Sequence, residues 1–138
     1  MARVSMSMQV NAPPERVWRL IGGFDALPDW LPPVIRSETG EGGRLRHVTL
    51  ADGAVLTERL LSFSEDGRSY AYAIIGGPLP VAGYRATLRV RPGEEESGSV
   101  VEWSSEFEPA GAPEADVVAL IRGVFQAGFD QLGKVFPR

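Results

Sequence analysis

Residues 100–136 read VVEWSSEFEPAGAPEADVVALIRGVFQAGFDQLGKVF and divide into two parts of different periodicity. In the first part Val101, Trp103 and Phe107 alternate with polar residues, a pattern typical of a half-buried β-strand. After Pro113, apolar residues recur at helical spacing up to the end of the chain: Val117, Leu120, Ile121, Val124, Phe125, Leu132, Val135 and Phe136. The segment therefore predicts a strand followed by one long amphipathic helix.

The preceding sequence predicts a strand, two short helices and then more strands. Residues 4–10 alternate like a strand, and Asn11 fits the N-cap of a first helix that ends at Gly22. A second short helical piece covers 24–31 and is broken by Pro28. Between turn signals lie candidate strands at 34–39, 44–51, 54–63, 69–75, 82–91 and 99–108. The acidic run 94–96 falls in one of these turns, where we expect a solvated loop.

This order of elements predicts the α+β class. Consecutive antiparallel strands before a long helix favour a curved seven-stranded sheet wrapped around that C-terminal helix, with the two short helices after strand 1. Side chains cannot fill a strongly curved sheet everywhere. We therefore expect an internal cavity between the sheet and the helix.

Composition limits the function classes. The chain has 138 residues, 43% of them hydrophobic, which suits one domain spanning 1–138. The net charge of -4 gives no basic footprint, so no nucleic-acid partner is expected. There is no cysteine, and His47 is the only histidine, so we expect no metal site. The glycines form neither a P-loop nor a dinucleotide fingerprint, and we expect no cofactor.

The N-terminal residues alternate and do not form a charged segment followed by an apolar one, which argues against a signal peptide. No stretch approaches the roughly 20 apolar residues that would span a bilayer. The sequence thus predicts a cytoplasmic protein without membrane insertion, and a monomer or a weak homodimer.

Several segments resemble one known family over essentially the whole chain. They are the Val17-Trp18 pair, Phe24-Asp25, the strand end at 74–77, the loop PLPVAGYR at 78–85 and the strand at 101–104. These segments look like the START/polyketide-cyclase branch of the Bet v 1-like (SRPBCC) superfamily, and in particular like its bacterial polyketide cyclase/dehydrase-like members. The resemblance implies the helix-grip fold. That fold hosts lipid carriers, hormone receptors and cyclases, so it does not by itself assign a function.

Locally the sequence is similar to the plant abscisic acid receptors, whose pocket is closed by two loops. Residues 77–81 match the receptors' latch, and the turn at 51–54 falls at the position of their gate but is shorter. Arg46, Glu58 and Tyr84 fall on receptor positions that line the polar part of the pocket. The receptor lysine that pairs with the hormone carboxylate is replaced by Pro32, so hormone-receptor function is not implied.

Strand parity gives an independent prediction of the inward-facing residues. Glu58 has the parity of Leu56 and Leu60 and should face the concave side of the sheet. A carboxylate among apolar residues is costly unless it is paired or protonated, and Arg46 has the right parity to be its partner. The pair could be purely structural, or it could orient a ligand together with Tyr84, or Glu58 could act as a general acid or base.

The same parity argument, the helical stripe, the loop matches and the position of Trp30 beside the proline break, where it could lie at the pocket mouth, define a set of candidate ligand-binding residues. The set is Trp30, Arg46, Val48, Leu50, Glu58, Leu60, Tyr72, Ile74, Leu79, Val81, Tyr84, Ala86, Trp103, Ser105, Phe125 and Gly128. Trp103 should bring an indole N–H that needs a buried acceptor. Gly128 lies on the apolar helical stripe, either because the helix crosses a strand closely or because space is left for something else.

Three functions remain open at this point. The first is a protein that binds a hydrophobic small molecule, such as a lipid or an aromatic or polyketide-like compound, in the internal cavity. The second is a polyketide cyclase/dehydratase-like enzyme that uses Glu58, Tyr84 and Arg46, with Glu58 and Tyr84 as candidate catalytic residues. The third is a ligand-dependent protein-interaction module in which Leu79 and Val81 form a closing lid. The absence of a second evident catalytic group favours binding over catalysis.

Overall fold

A computed structural model describes residues 1–95 and 97–137 of the chain. Glu96, which belongs to the predicted acidic loop, and Arg138 lie outside the described residues. The strands are β1 (Ala2–Val10), β2 (Val34–Gly40), β3 (Leu45–Leu50), β4 (Val55–Ser64), β5 (Ser69–Gly76), β6 (Val81–Pro92) and β7 (Ser99–Pro109). The helices are α1 (Pro14–Ile21), α2 (Leu27–Trp30) and α3 (Glu114–Val135), with a short 3₁₀ turn at Glu41–Gly43.

The strands form one curved antiparallel sheet in the order β1-β7-β6-β5-β4-β3-β2. Each of β2 to β7 pairs with its sequence neighbour, and β1 closes the order beside β7. The long helix α3 lies on the concave face, where Val117, Ile121, Phe125, Phe129 and Leu132 are buried. The predicted α+β helix-grip architecture is confirmed, and the strand bounds predicted from 34 onward agree with the structure to within about one residue.

The alternation in β7 follows the predicted faces. Val101, Trp103, Ser105 and Phe107 are all buried. The intervening residues form the outer face, where they meet the arginines of β6: Arg85 is paired in register with Glu106, and Arg89 with Glu102. The sheet is therefore apolar toward α3 and charged toward solvent, as an antiparallel sheet with one buried face should be.

Two local predictions in the short-helix region are wrong. The N-cap of α1 is Pro13 and makes no side-chain capping bond, whereas the Asn11 amide donates to the Pro137 carbonyl at 3.0 Å. Extended backbone at Pro13 and helical backbone from Pro14 onward move the helix start past Asn11. Pro28 does not break a helix over 24–31, because it stands in the first turn of α2, where its missing N–H is tolerated.

No helix within residues 1–95 and 97–137 has both the length and the apolar character needed to cross a membrane.

Candidate ligand-binding site

The space between the sheet and α3 contains a cavity of about 100 Å³. Strands β2 to β7 supply its floor, α3 covers it, and the α2 region closes one side. The lining residues are Leu27, Leu31, Pro33, Val34, Val48, Leu50, Leu56, Glu58, Tyr72, Ile74, Leu79, Tyr84, Trp103, Leu120, Ile121, Val124 and Phe125.

The polarity of this lining changes with depth. The lining residues that remain partly or fully solvent-accessible are all apolar: Pro33, Leu50, Ile74, Leu79, Leu120 and Val124. The lining side chains that carry polar atoms are all buried: Glu58, Tyr72, Tyr84 and Trp103. The cavity therefore has an apolar mouth and a polar inner end.

The charged member of the inner end is Glu58, and it is paired with Arg46 as predicted. The two residues face each other across β3 and β4. Arg46 Nε and Nη2 lie 2.8 Å and 2.7 Å from the same carboxylate oxygen, Oε1. Both side chains are almost completely shielded, with Arg46 1% and Glu58 5% exposed. Two charge-assisted bonds satisfy one oxygen of the buried carboxylate.

Arg46 itself is enclosed by aromatic rings and further acceptors. Its Nη1 donates to the Phe24 carbonyl at 2.7 Å and to the Tyr70 hydroxyl at 3.3 Å. The guanidinium lies 4.1 Å from the ring centre of Phe24 and 4.8 Å from that of Tyr72. Burial lowers the pKa of Arg46, but Tyr70 and Glu58 raise it by more, so the pKa lies above its usual value. The guanidinium stays charged, and each of its three nitrogens has at least one acceptor.

Tyrosine and tryptophan complete the inner end. Trp103 Nε1 donates to the Tyr72 hydroxyl at 3.2 Å, which gives the predicted buried acceptor. The Trp103 ring stacks on Phe125 of α3 with 4.1 Å between ring centres. Burial raises the pKa of Tyr72 and that of Tyr84 above the usual value of 10.0, so both phenols are neutral at ordinary pH.

The structure brings many of the predicted site residues together at the cavity. Those that line it are Val48, Leu50, Glu58, Tyr72, Ile74, Leu79, Tyr84, Trp103 and Phe125. Candidate catalytic residues Glu58 and Tyr84 thus share one cavity. His47 is exposed on the opposite side of its strand, 3.2 Å from the Thr57 hydroxyl.

Other predicted residues do not line the cavity: Trp30, Arg46, Leu60, Val81, Ala86, Ser105 and Gly128. Arg46 is hidden behind Glu58. Trp30 is buried against Trp103, with 5.4 Å between ring centres. Ala86 and Ser105 are buried register partners near the middle of the sheet, whereas Leu60 and Val81 are half-buried.

Gly128 allows close packing and does not leave space for a ligand. A Cβ atom at this position would lie 2.8 Å from Trp30 Cζ3 and 3.2 Å from Trp103 Cζ3. These distances are too short for a methyl group, so the indole rings already fill the place of the missing side chain. Gly128 therefore allows the helix to pack closely, as the first of the two explanations proposed. The close neighbours are the indole rings of Trp30 in α2 and Trp103 in β7.

Part of the wall was missed in the sequence. Leu120, Ile121 and Val124 line the cavity together with Phe125, and their helical stripe was visible, so the stripe itself was the available signal. The remaining missed residues come from the short-helix region, β2 and β4: Leu27, Leu31, Pro33, Val34 and Leu56. Except for Leu56, which shares the parity of Glu58, their contribution depends on how the chain folds back after α1, which local periodicity does not reveal.

The whole chain is similar to known proteins. A family model described as "Polyketide cyclase / dehydrase and lipid transport" matches residues 1–137. The structure is similar to that of the protein XoxI from Bacillus cereus, with 41% identity, a TM-score of 0.97, and coverage of 99% of this chain and 96% of that one. A Bacillus thuringiensis protein is 39% identical with a TM-score of 0.96, and the match covers 99% of this chain and 100% of that one.

A START superfamily protein from Mycobacterium smegmatis shares the fold at 15% identity, with a TM-score of 0.79 and coverage of 97% of this chain and 96% of that chain. The family match confirms the predicted relationship to the polyketide cyclase/dehydrase-like branch. The match over nearly the whole length shows that the chain belongs to the polyketide cyclase/dehydrase and lipid transport family.

Proposed function

We propose that this protein binds a small hydrophobic molecule in the cavity between the sheet and α3. The observation that carries the proposal is the lining, in which apolar side chains surround a few buried polar groups at one end. Ligand sites are typically built in this way, because apolar walls supply the binding energy and a few polar atoms fix the orientation. The family description, which includes lipid transport, supports the same function.

The volume of the cavity limits what it can hold as it stands. At about 100 Å³ it is smaller than an engineered apolar cavity of about 150 Å³ that admits benzene. A ligand the size of one aromatic ring therefore requires a small widening. Leu79 and Leu120 lie at the mouth and are not fully buried, so their side chains are the ones that can move at low cost.

Native mass spectrometry of the protein purified from its own host tests the proposal directly. We expect a bound apolar compound, and we expect single-ring hydrophobic compounds to raise the melting temperature, because a ligand that binds only the folded state stabilises it. The absence of both a co-purified molecule and any thermal shift across such a series would overturn the proposal.

A cavity-filling substitution makes the test specific to this site. Val124→Phe adds volume at a lining residue of α3 that is only half-buried, and we expect it to remove most of the thermal shift. Val118→Phe is the matched control, since Val118 is also half-buried on α3 but does not line the cavity. Equal thermal shifts in the two variants would place the binding elsewhere.

A second candidate function is catalysis of the cyclase/dehydratase type. The observation that favours it is that Glu58 and Tyr84 are both buried and line one cavity. Turnover of an aromatic polyketide-like substrate that is lost in both Glu58→Gln and Tyr84→Phe, with ligand binding retained, would support catalysis. Turnover that survives both substitutions would exclude these residues as the acid and base.

A further inference from the structure

The positive charge of Arg46 is not available to a ligand. Its Nε and Nη2 contact Glu58, its Nη1 contacts the Phe24 carbonyl and the Tyr70 hydroxyl, and aromatic rings lie against the guanidinium. Arg46 is 1% exposed and does not line the cavity. An anionic ligand group therefore finds no unengaged cation at the inner end.

Glu58, by contrast, has unused hydrogen-bonding capacity. Both Arg46 contacts go to Oε1, and no residue in the described ranges 1–95 and 97–137 makes a hydrogen bond to Oε2. Glu58 is also the only formally charged side chain among the described lining residues. A carboxylate that lines a cavity and has lone pairs to spare is an acceptor for a donor on a ligand.

The change in polarity from the mouth to the inner end of the cavity indicates how a ligand would be oriented. The apolar mouth residues would contact the hydrophobic body, and the donor would reach the inner end, where Glu58, Tyr72 and Tyr84 line the cavity. We propose, as an extension of the proposed binding function, that the cavity selects hydrophobic molecules that carry a hydrogen-bond donor at one end and rejects their carboxylate counterparts. A ligand carboxylate would face the like charge of Glu58 at low dielectric, which is strongly unfavourable.

Three compounds separate these contributions: p-xylene and 4-methylphenol, which are nearly equal in size, and 4-methylbenzoate, which is slightly larger and carries a negative charge. Trp103 supplies the readout, because its indole N–H lies at the inner end on the Tyr72 hydroxyl. The three tryptophan indole signals in a nitrogen–proton correlation spectrum can be assigned by Trp→Phe substitution, and titration then gives a dissociation constant for each compound.

We expect 4-methylphenol to bind about tenfold more tightly than p-xylene, because hydrogen bonds to charged groups contribute this much. We expect 4-methylbenzoate not to shift the Trp103 signal.

Glu58→Gln should reduce the preference for 4-methylphenol over p-xylene and should admit 4-methylbenzoate. Glu106→Gln is the control, since it removes a carboxylate on the outer face of β7. If Glu58→Gln does not fold, the wild-type series still decides. Binding of p-xylene as tight as that of 4-methylphenol, or binding of 4-methylbenzoate to the wild type, would overturn the donor preference and leave the binding function intact. Failure of all three compounds to shift Trp103 would contradict the binding function itself.

Discussion

Arg46 and Glu58 form a two-donor, one-acceptor pair, in which Nε and Nη2 of the arginine share the single carboxylate oxygen Oε1. The two residues are directly opposite each other on β3 and β4, and both side chains are buried. Removing one partner leaves the other as an unpaired charge in an apolar environment. Replacing both with apolar residues avoids that cost.

Arg46→Met should therefore lower the free energy of unfolding by about 3–5 kcal/mol, because it strands the Glu58 carboxylate. The double variant Arg46→Met/Glu58→Leu should recover most of this loss. Urea denaturation measures both. Arg3→Met is the control, because Arg3 forms an exposed ion pair with Glu106 at 3.4 Å, and exposed pairs contribute less than about 1 kcal/mol. Equal losses for Arg46→Met and Arg3→Met would contradict the assignment of a structural role to the buried pair.

Two glycines of α3 should respond to the same substitution with opposite signs. Gly128→Ala should destabilise the protein by about 1–3 kcal/mol, because the added methyl group meets Trp30 and Leu31 at 2.8 Å and 3.0 Å from the new Cβ. Gly123→Ala should stabilise it by about 0.5–1 kcal/mol, since nothing lies within 4 Å of a Cβ there and alanine favours the helix. Thermal denaturation of the two variants checks both signs. A gain in stability for Gly128→Ala would mean that the indole rings have room to move.

The buried tyrosines should make the protein lose stability in alkali. Burial raises the pKa of Tyr72 and Tyr84 in the folded protein above 10.0, the value near which the unfolded chain releases these protons. The contribution is fully present below pH 10.0 and is lost as the pH rises through the folded-state pKa values, so the free energy of unfolding falls in alkali. Tyrosinate absorbance should rise together with loss of the near-ultraviolet circular dichroism of the folded state. Ionisation of Tyr72 and Tyr84 near pH 10.0 in a folded protein would contradict this.

The inward faces of the strands and the central ion pair could be predicted because they depend on local alternation. Glu58 and Arg46 each share the parity of apolar neighbours, and a buried carboxylate requires a partner, so the pair follows from period 2 and electrostatics. The inward position of Trp103 follows from the same alternation, and its need for an acceptor follows from the indole N–H.

Other features depend on contacts that local periodicity does not encode. A register shift between Leu60 and Ser62 brings Phe63 opposite Tyr70, so Phe63 lies against Trp18 with 5.7 Å between ring centres although its parity in a regular strand is outward. The Phe24 carbonyl that occupies Arg46 belongs to a segment 22 residues away. Arg46 is engaged by this contact and by Glu58 and does not line the cavity, so Glu58 supplies the only formal charge among the described lining residues.

Leu79 should control the rate at which small molecules enter and leave the cavity. The backbone of its loop is held at and just after Leu79, because Val81 N donates to the Leu79 carbonyl at 2.8 Å and Ala110 N donates to the Pro80 carbonyl at 2.9 Å. The half-buried side chain, not the backbone, is then the part that can move at the mouth. Leu79→Ala should speed dissociation of 4-methylphenol several-fold, while the dissociation constant rises by a smaller factor because association also becomes faster. Line-shape analysis of the Trp103 indole signal measures both rates.

Leu61→Ala, at an exposed position of β4 outside the lining, should leave them unchanged. Identical rates in the wild type and Leu79→Ala would mean that the ligand passes between other mouth residues, with Leu120 of α3 as the next to substitute.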